Sequence, residues 1–85
     1  MELKEQFEAA VTNSKLLAQK PANDVLLKLY SLYKQGTDGD LSTEAPSNPF
    51  DFVARAKHGA WEELKGTTKE RAMQQYIDLV TSLKG

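Results

Sequence analysis

Apolar residues recur along the chain at steps of three and four, which is the spacing of one face of an α-helix. The first such segment has an apolar or small face formed by Leu3, Phe7, Ala10, Val11 and Ser14. The second follows the sequence KPAND and has a broader face formed by Val25, Leu26, Leu29, Leu32 and Tyr33. Alternation of apolar and polar positions, which is typical of strands, does not extend over several residues. Both segments are therefore predicted to be helices.

Residues 37–49, TDGDLSTEAPSNP, separate these segments from two more and are a loop by composition. Asn48 and Pro49 are typical of an N-cap and a first helical position, so the third helix is predicted to begin there. Its buried face is predicted to consist of Phe50, Val53, Ala56, Ala60, Trp61 and Leu64. Thr67 and Glu70 have capping-box spacing and predict the start of the fourth helix. The apolar stripe of that helix consists of Met73, Tyr76, Ile77, Val80 and Leu83.

The four segments predict an all-α fold in a single domain that takes up residues 1–85. Apolar residues make up 40% of the chain and charged residues 27%, as in ordinary soluble globular proteins. A net charge of −1 argues against general attraction to nucleic acid or to an anionic membrane. No apolar run approaches the roughly 18 residues of a membrane span, and the first residues lack the apolar core of a signal peptide. A cytoplasmic protein is expected, without integral membrane association.

The chain lacks the sequence signatures of the common catalytic and metal sites. It contains no cysteine and one histidine, His58, so thiol chemistry is excluded and a zinc site is not expected. The sequence holds no P-loop, no G-x-G-x-x-G and no G-x-S-x-G. We therefore expect no catalytic residue, no metal and no cofactor, and a nucleotide would have to be held by side chains.

One flank of the second segment differs from a plain core face. On a helical wheel Leu27, Tyr30 and Lys34 lie one above another beside the apolar face, so the flank is half apolar and half cationic. Such a flank suits a ligand that is apolar at one end and anionic at the other. A solvated amphipathic edge is the alternative interpretation.

Three further residues invite a functional and a structural interpretation. Lys57 falls within the apolar arc of the third segment, where it must reach water, an internal carboxylate or an anionic ligand, because an unpaired buried charge is costly. Tyr76 lies near the centre of the fourth stripe, where a tyrosine is commonly core with its hydroxyl at the rim. Lys15 has the pattern of a solvated lysine.

Two blocks of the sequence resemble the acyl-CoA-binding protein family. The second block, AWEELKGTTKERAMQQYI, is similar to the family's A-W-x-x-L-K-G-x-[ST]-K-E-x-A-M-x-x-Y-I. In the first block, KPANDVLLKLYSLYKQGTDGD, the matching residues are Pro21, Asp24, Leu29, Tyr30, Ser31, Tyr33, Lys34, Gln35 and Gly39. The resemblance spans nearly the whole chain. It implies a four-helix, up-down-down-up bundle with a bowl-shaped site for long-chain acyl-CoA thioesters.

The resemblance also implies roles for individual side chains. Tyr30, Lys34 and Lys57 match family residues that hold the adenosine 3′-phosphate region. Tyr33 matches the aromatic residue that stacks on adenine, and Tyr76 matches another tyrosine that contacts the ligand. These expectations raise the two lysines from ambiguous positions to ligand residues.

Other positions extend or modify the expected site. Lys15 matches a family position near the ligand, and Leu27, from its place beside Tyr30, is expected to form part of an apolar trough. Val53 stands where the family commonly has a lysine, and His58 stands where many members have a second tryptophan. The loop at residues 45–50 is one residue longer than usual. These departures are expected to affect affinity and chain-length preference rather than the activity itself.

The function expected from the sequence is that of an intracellular carrier and pool former for medium- to long-chain acyl-CoA. It would bind, shield and deliver the thioester without changing it, as a monomer, with acyl-CoA-using enzymes as recipients. The alternative is a helical protein-interaction module that keeps the fold and has lost or altered ligand binding. A third interpretation is an accessory domain of an acyl-CoA hydrolase or isomerase.

Overall fold

The structure, a computed structural model, describes residues 2–41, 47–48 and 50–84. Within those ranges the chain forms four α-helices and no strand, which confirms the predicted all-α fold. The helices are α1 (Leu3–Ser14), α2 (Asn23–Thr37), α3 (Phe52–Glu62) and α4 (Lys69–Lys84). None of these helices is long and apolar enough to cross a membrane.

The directions of the helices follow from contacts near their ends. Lys4 and Lys69 line one groove, so α1 begins beside the beginning of α4 and the two helices run in the same direction. Late in α2, Gln35 bonds to the carbonyl of Thr67, just before α4, so α2 runs against α4. Gln35 also bonds to Trp61 late in α3, so α2 and α3 run in the same direction. The topology is up-down-down-up, as expected.

The apolar core lies between α1, α2 and α4. Most of the stripe residues predicted for these helices are buried or half-buried in it, and Phe7 of α1 contacts the rings of both Tyr33 and Tyr76. The prediction is wrong for Tyr33, which is 40% exposed because it lines a surface cleft between α1, α2 and α4. Leu64, just after α3, also packs into this core. The buried residues of the cluster are Phe7, Ala10, Leu29, Leu32, Leu64, Ala72, Tyr76 and Val80.

The predicted start of the third helix is wrong by three residues. Asp51 is the N-cap of α3, because its side chain accepts a hydrogen bond from the backbone N–H of Ala54 at 3.1 Å. Asn48 instead forms a local turn, in which its side-chain oxygen accepts from the N–H of Phe50 at 2.9 Å. Ala45, Pro46 and Pro49 of the longer 45–50 loop lie outside the described residues.

The predicted buried face of α3 is wrong over its first two turns. Phe50 is 79% exposed and Val53 is 64% exposed, and Ala56 is also exposed. Among the described helices α3 packs only against α2, so one neighbour cannot cover the whole apolar arc. Trp61, at the end of α3, is buried as predicted.

The fourth helix begins one residue later than the capping-box prediction. Thr68, and not Thr67, supplies the cap, because its hydroxyl accepts from the N–H of Arg71 at 3.1 Å. The backbone of Thr67 closes the preceding turn, where its N–H donates to the carbonyl of Leu64. This turn passes through Gly66 at φ +92°, a conformation that favours glycine.

Candidate functional site

A cleft between α1, α2 and α4 brings together all three tyrosines of the chain. Its volume is about 470 Å³, and we call it the tyrosine cleft. Lys15 stands at its edge, so the topology unites this lysine with tyrosines from α2 and α4. The lining residues are Val11, Ser14, Lys15, Pro21, Leu26, Leu29, Tyr30, Tyr33 and Tyr76.

A second cleft lies between α2 and the first turns of α3. Its volume is about 380 Å³ and its lining is mostly apolar; we call it the leucine cleft. Leu26 lines both clefts, so they adjoin. The lining residues are Asn23, Leu26, Leu27, Phe52, Val53, Ala56 and Lys57. Exposure of the α3 residues at this cleft leaves an apolar surface next to a cationic and aromatic one.

Lys57 and Tyr30 join the two clefts across the interface of α2 and α3. The ammonium group of Lys57 lies 5.1 Å from the centroid of the Tyr30 ring, within the range of a cation–π contact. Helical spacing predicts Lys57 within an apolar arc, but the lysine is exposed and lies against residues of α2. Because the ammonium group of Lys57 lies against an aromatic ring and is exposed, its charge remains accessible at the boundary of the two clefts.

Lys34 lies one turn beyond Tyr30, yet it lines neither cleft. Its Nζ forms an ion pair with Asp38 at 2.8 Å and lies 5.1 Å from the centroid of the Trp61 ring. The hydrogen bond to Asp38 raises the pKa of Lys34, although desolvation opposes this shift, and the same bond lowers the pKa of Asp38. The lysine is therefore cationic and already has an anionic partner.

Tyr33 and Tyr76 differ in how much of each ring is accessible. Tyr33 is 40% exposed and stacks on Phe7, with ring centroids 5.9 Å apart and an interplanar angle of 25°. Tyr76 is buried, and its hydroxyl is bonded to the hydroxyl of Ser14 at 3.0 Å. Ser14 in turn donates to the carbonyl of Val11. The Tyr33 ring is open to a planar ligand, whereas Tyr76 forms the floor of the cleft.

The sequence analysis does not predict the side-chain bonds that two residues beside the site, Gln35 and Asp38, form. Gln35 is fully buried and bonds to side chains or backbone of three other segments. It follows Leu32 by three positions, so its place on the buried face could have been noticed. Asp38 follows Lys34 by four positions, which is the spacing of a helical ion pair and a signal that was available.

The described residues contain no cluster of three or more His, Asp or Glu side chains that could hold a metal ion.

Two of the residues that depart from the family pattern, Val53 and His58, have neighbours in the structure. Val53 adds to the apolar lining of the leucine cleft, and His58 Nδ1 lies 3.6 Å from the Glu62 carboxylate one turn ahead.

The family model for "Acyl CoA binding protein" matches residues 4–80. The chain belongs to the acyl-CoA-binding protein family. It is 48% identical over 77 residues to an acyl-CoA-binding protein of Dictyostelium discoideum, and the match covers 91% of this chain and 90% of that protein. Over these shared residues the likeness takes in both blocks singled out in the sequence.

A second relative is a longer protein. The chain is 48% identical over 79 residues to enoyl-CoA delta isomerase 2 of Rattus norvegicus, but it spans only 20% of that protein's length. Among solved structures, Oryza sativa acyl-CoA-binding protein 2 matches with a TM-score of 0.90 and 39% identity, covering 96% of this chain and 90% of that one. This structural match supports the four-helix family fold.

Proposed function

We propose that the protein binds medium- to long-chain fatty acyl-CoA thioesters, without changing them, and serves as a carrier and pool former. The observation that carries this proposal is the adjacency of the two clefts at Leu26, one aromatic and cationic, the other apolar. An acyl-CoA has the same division, with an anionic nucleotide at one end and a hydrocarbon chain at the other. Membership of the family and the likeness to proteins named for this ligand support the same function.

The headgroup is assigned to the tyrosine cleft and the lysines beside it. The exposed ring of Tyr33 stacks on adenine, an interaction that contributes roughly 1–3 kcal/mol per base. Lys57 and the Tyr30 hydroxyl hold the adenosine 3′-phosphate together with Lys34, through charge-assisted hydrogen bonds. Lys15 stands where a second phosphate group can be reached. Tyr76 contacts the ligand from the floor of the cleft.

The acyl chain is assigned to the leucine cleft, where Leu27 and Val53 offer apolar contact. Each buried methylene is favourable by about 0.8 kcal/mol, so a sixteen-carbon chain supplies on the order of 10 kcal/mol before ordering costs. The few phosphate contacts of a chain with net charge −1 cannot match that sum. The headgroup therefore determines which ligand is chosen, and the chain determines most of the affinity.

The proposed role is binding, and no catalytic step is assigned to any residue. The likeness to an isomerase covers only 20% of that protein, so it gives no ground for assigning isomerase activity to this chain. As a carrier, the protein would act as a monomer in the cytoplasm and deliver acyl-CoA to enzymes that consume it. Residues 1–85 would lie in a single acyl-CoA-binding domain.

A charge-matched pair of variants tests the position of the site. Lys57→Met removes the cation beside Tyr30, whereas Arg55→Met removes the same charge from the same helix outside both clefts. Lys57→Met is expected to weaken palmitoyl-CoA binding about tenfold, since a hydrogen bond to a charged group contributes about 1.5–3 kcal/mol. Arg55→Met is expected to change it less than about twofold.

Calorimetric titration of both variants with palmitoyl-CoA measures the two effects, and far-ultraviolet circular dichroism confirms that both chains fold. Equal losses in the two variants would mean that only the overall charge matters. No loss in Lys57→Met would remove this lysine from the site.

A further inference from the structure

Asp38 lies at the C-terminus of α2, where a negative charge is unfavourable. It is the C-cap residue of α2, and its backbone N–H donates to the carbonyl of Lys34 at 2.8 Å. The C-terminus of a helix carries partial negative charge, so a carboxylate there is repelled by the helix dipole. The position of Asp38 is therefore not explained by the stability of α2 alone. What distinguishes it is its partner, the one lysine of the proposed phosphate site that lies outside both clefts.

The carboxylate of Asp38 directs Lys34 away from the clefts. Its Oδ2 lies 2.8 Å from Lys34 Nζ, and the ammonium group lies over the ring of Trp61. The side chains are 29% exposed for Lys34 and 52% exposed for Asp38, so both groups remain open to a ligand in solution. Lys69, at the start of α4, adds a second favourable charge that lowers the pKa of Asp38. Asp38 is thus a stable anion at neutral pH.

We propose that Asp38 competes with the ligand's phosphate for Lys34 and thereby sets how strongly the protein distinguishes acyl-CoA from ligands that lack the 3′-phosphate. This inference rests on the proposed function, in which Lys34 holds that phosphate. Asp38 acts through the lysine, as a positioning residue, and does not itself bind the ligand.

The competition follows from charge. A phosphate that approaches Lys34 either displaces the carboxylate or binds beside it. Displacement breaks an exposed ion pair, which is a small loss, and binding beside it places two anions close together, which is also unfavourable. Either route subtracts part of the gain from the phosphate contact. Removal of the carboxylate alone should therefore strengthen binding, and only for ligands that reach Lys34 with a phosphate.

Two charge-matched variants test this competition. Asp38→Asn removes the competitor and keeps the shape of the side chain. Asp78→Asn changes the net charge by the same amount on the exposed side of α4, where Asp78 accepts from Gln74 of its own helix. Each variant is titrated with palmitoyl-CoA and with palmitoyl-3′-dephospho-CoA, and Asp38→Asn is repeated in a Lys34→Met background.

Asp38→Asn is expected to bind palmitoyl-CoA about two- to fivefold more tightly than the unchanged chain, which is the scale of an exposed ion pair. The gain should exceed that of Asp78→Asn, and it should vanish with the dephospho ligand and in the Lys34→Met background. A merely structural role for Asp38 would affect both ligands equally.

Four results would overturn the inference while leaving the proposed function intact. They are unchanged or weaker palmitoyl-CoA binding by Asp38→Asn, an equal gain in Asp78→Asn, an equal gain with both ligands, and a gain that persists in the Lys34→Met background. If the unchanged chain binds neither ligand, the proposed function itself fails and the inference fails with it. The titration of the unchanged chain therefore separates the two failures.

Discussion

Trp61 donates its indole N–H to the side-chain oxygen of Gln35 at 3.1 Å, and this bond joins α3 to α2 beneath the candidate site. The amide nitrogen of Gln35 completes the junction by donating to the carbonyl of Thr67 at 2.7 Å and to Asp40 at 2.9 Å. Gln35 is 0% exposed, so both polar atoms of its amide are satisfied by protein rather than by water. One amide therefore ties α2 to the end of α3 and to the turn just before α4.

Gln35→Ala should destabilise the protein by about 2–4 kcal/mol, because it removes a fully buried side chain that bonds three other segments and it opens a cavity. Urea unfolding followed by circular dichroism measures the change in the free energy of unfolding. Gln74→Ala removes an amide that bonds Asp78 on the surface of α4, and it should cost less than about 0.5 kcal/mol. Similar losses for the two variants would contradict the role of Gln35 as a buried junction.

Protonation of the Asp40 carboxylate should lower the free energy of unfolding in acid. The backbone N–H of Gly66, bonded at 2.9 Å, and the Gln35 amide lower the pKa of Asp40 in the folded chain. A lowered folded pKa means that its stabilising effect is complete above the unfolded pKa, about 3.9, and is lost as the pH falls through the folded value.

The difference in the free energy of unfolding between the unchanged chain and Asp40→Asn should be constant above about pH 5 and shrink below about pH 4. Urea titrations at a series of pH values measure it, and other acidic groups cancel in the difference. A difference that stays constant down to pH 2 would contradict the assigned hydrogen bonds.

Two glycines should respond to alanine with opposite signs. Gly59 lies inside α3, and a Cβ atom there would meet no atom within 4 Å, so Gly59→Ala should stabilise the protein by about 0.5–1 kcal/mol. Gly66 has open space as well, but its φ of +92° makes Gly66→Ala cost about 1–2 kcal/mol. Thermal unfolding of both variants checks the signs, and a destabilised Gly59→Ala would show that α3 is not helical at that point.

The exposed ring of Tyr33 should matter to binding more than its hydroxyl does. Tyr33→Leu removes the aromatic face and should weaken palmitoyl-CoA binding by about 1–3 kcal/mol, whereas Tyr33→Phe should retain most of the affinity. Calorimetric titration of the two folded variants separates the effects. Equal losses would assign the contribution to the hydroxyl, and the absence of any loss would exclude stacking on adenine.

The sequence predicts the helices well where several neighbours cover an apolar face. Phe7, Leu32 and Val80 are buried as expected, because they lie in one core between α1, α2 and α4. Tyr33, predicted on the same face as Leu32, is 40% exposed. Periodicity does not reveal how many neighbours a helix has, so it overestimates the burial of Phe50 and Val53 on a helix that packs against α2 alone.

The candidate site, too, is predicted from the sequence only in part. The flank formed by Leu27, Tyr30 and Lys34 follows from helix spacing, and the resemblance supplies the expected roles of these residues. Neither reveals that Tyr30 and Leu27 line two different clefts while Lys34 lines neither, since that depends on how α1, α3 and α4 lie around α2. The spacing of Lys34 and Asp38 was visible in the sequence, but its significance depends on where the lysine points in the structure.

Calorimetric titration of the unchanged protein with palmitoyl-CoA, free CoA and palmitate, in one buffer, tests the central claim most directly. Because the proposed site joins a headgroup cleft to an apolar cleft, the thioester should bind tightly and both fragments far more weakly. Trp61 fluorescence should change with the thioester as well, since Lys34 lies over its ring. Absence of heat and of a fluorescence change with palmitoyl-CoA would contradict the proposal that this bundle binds acyl-CoA.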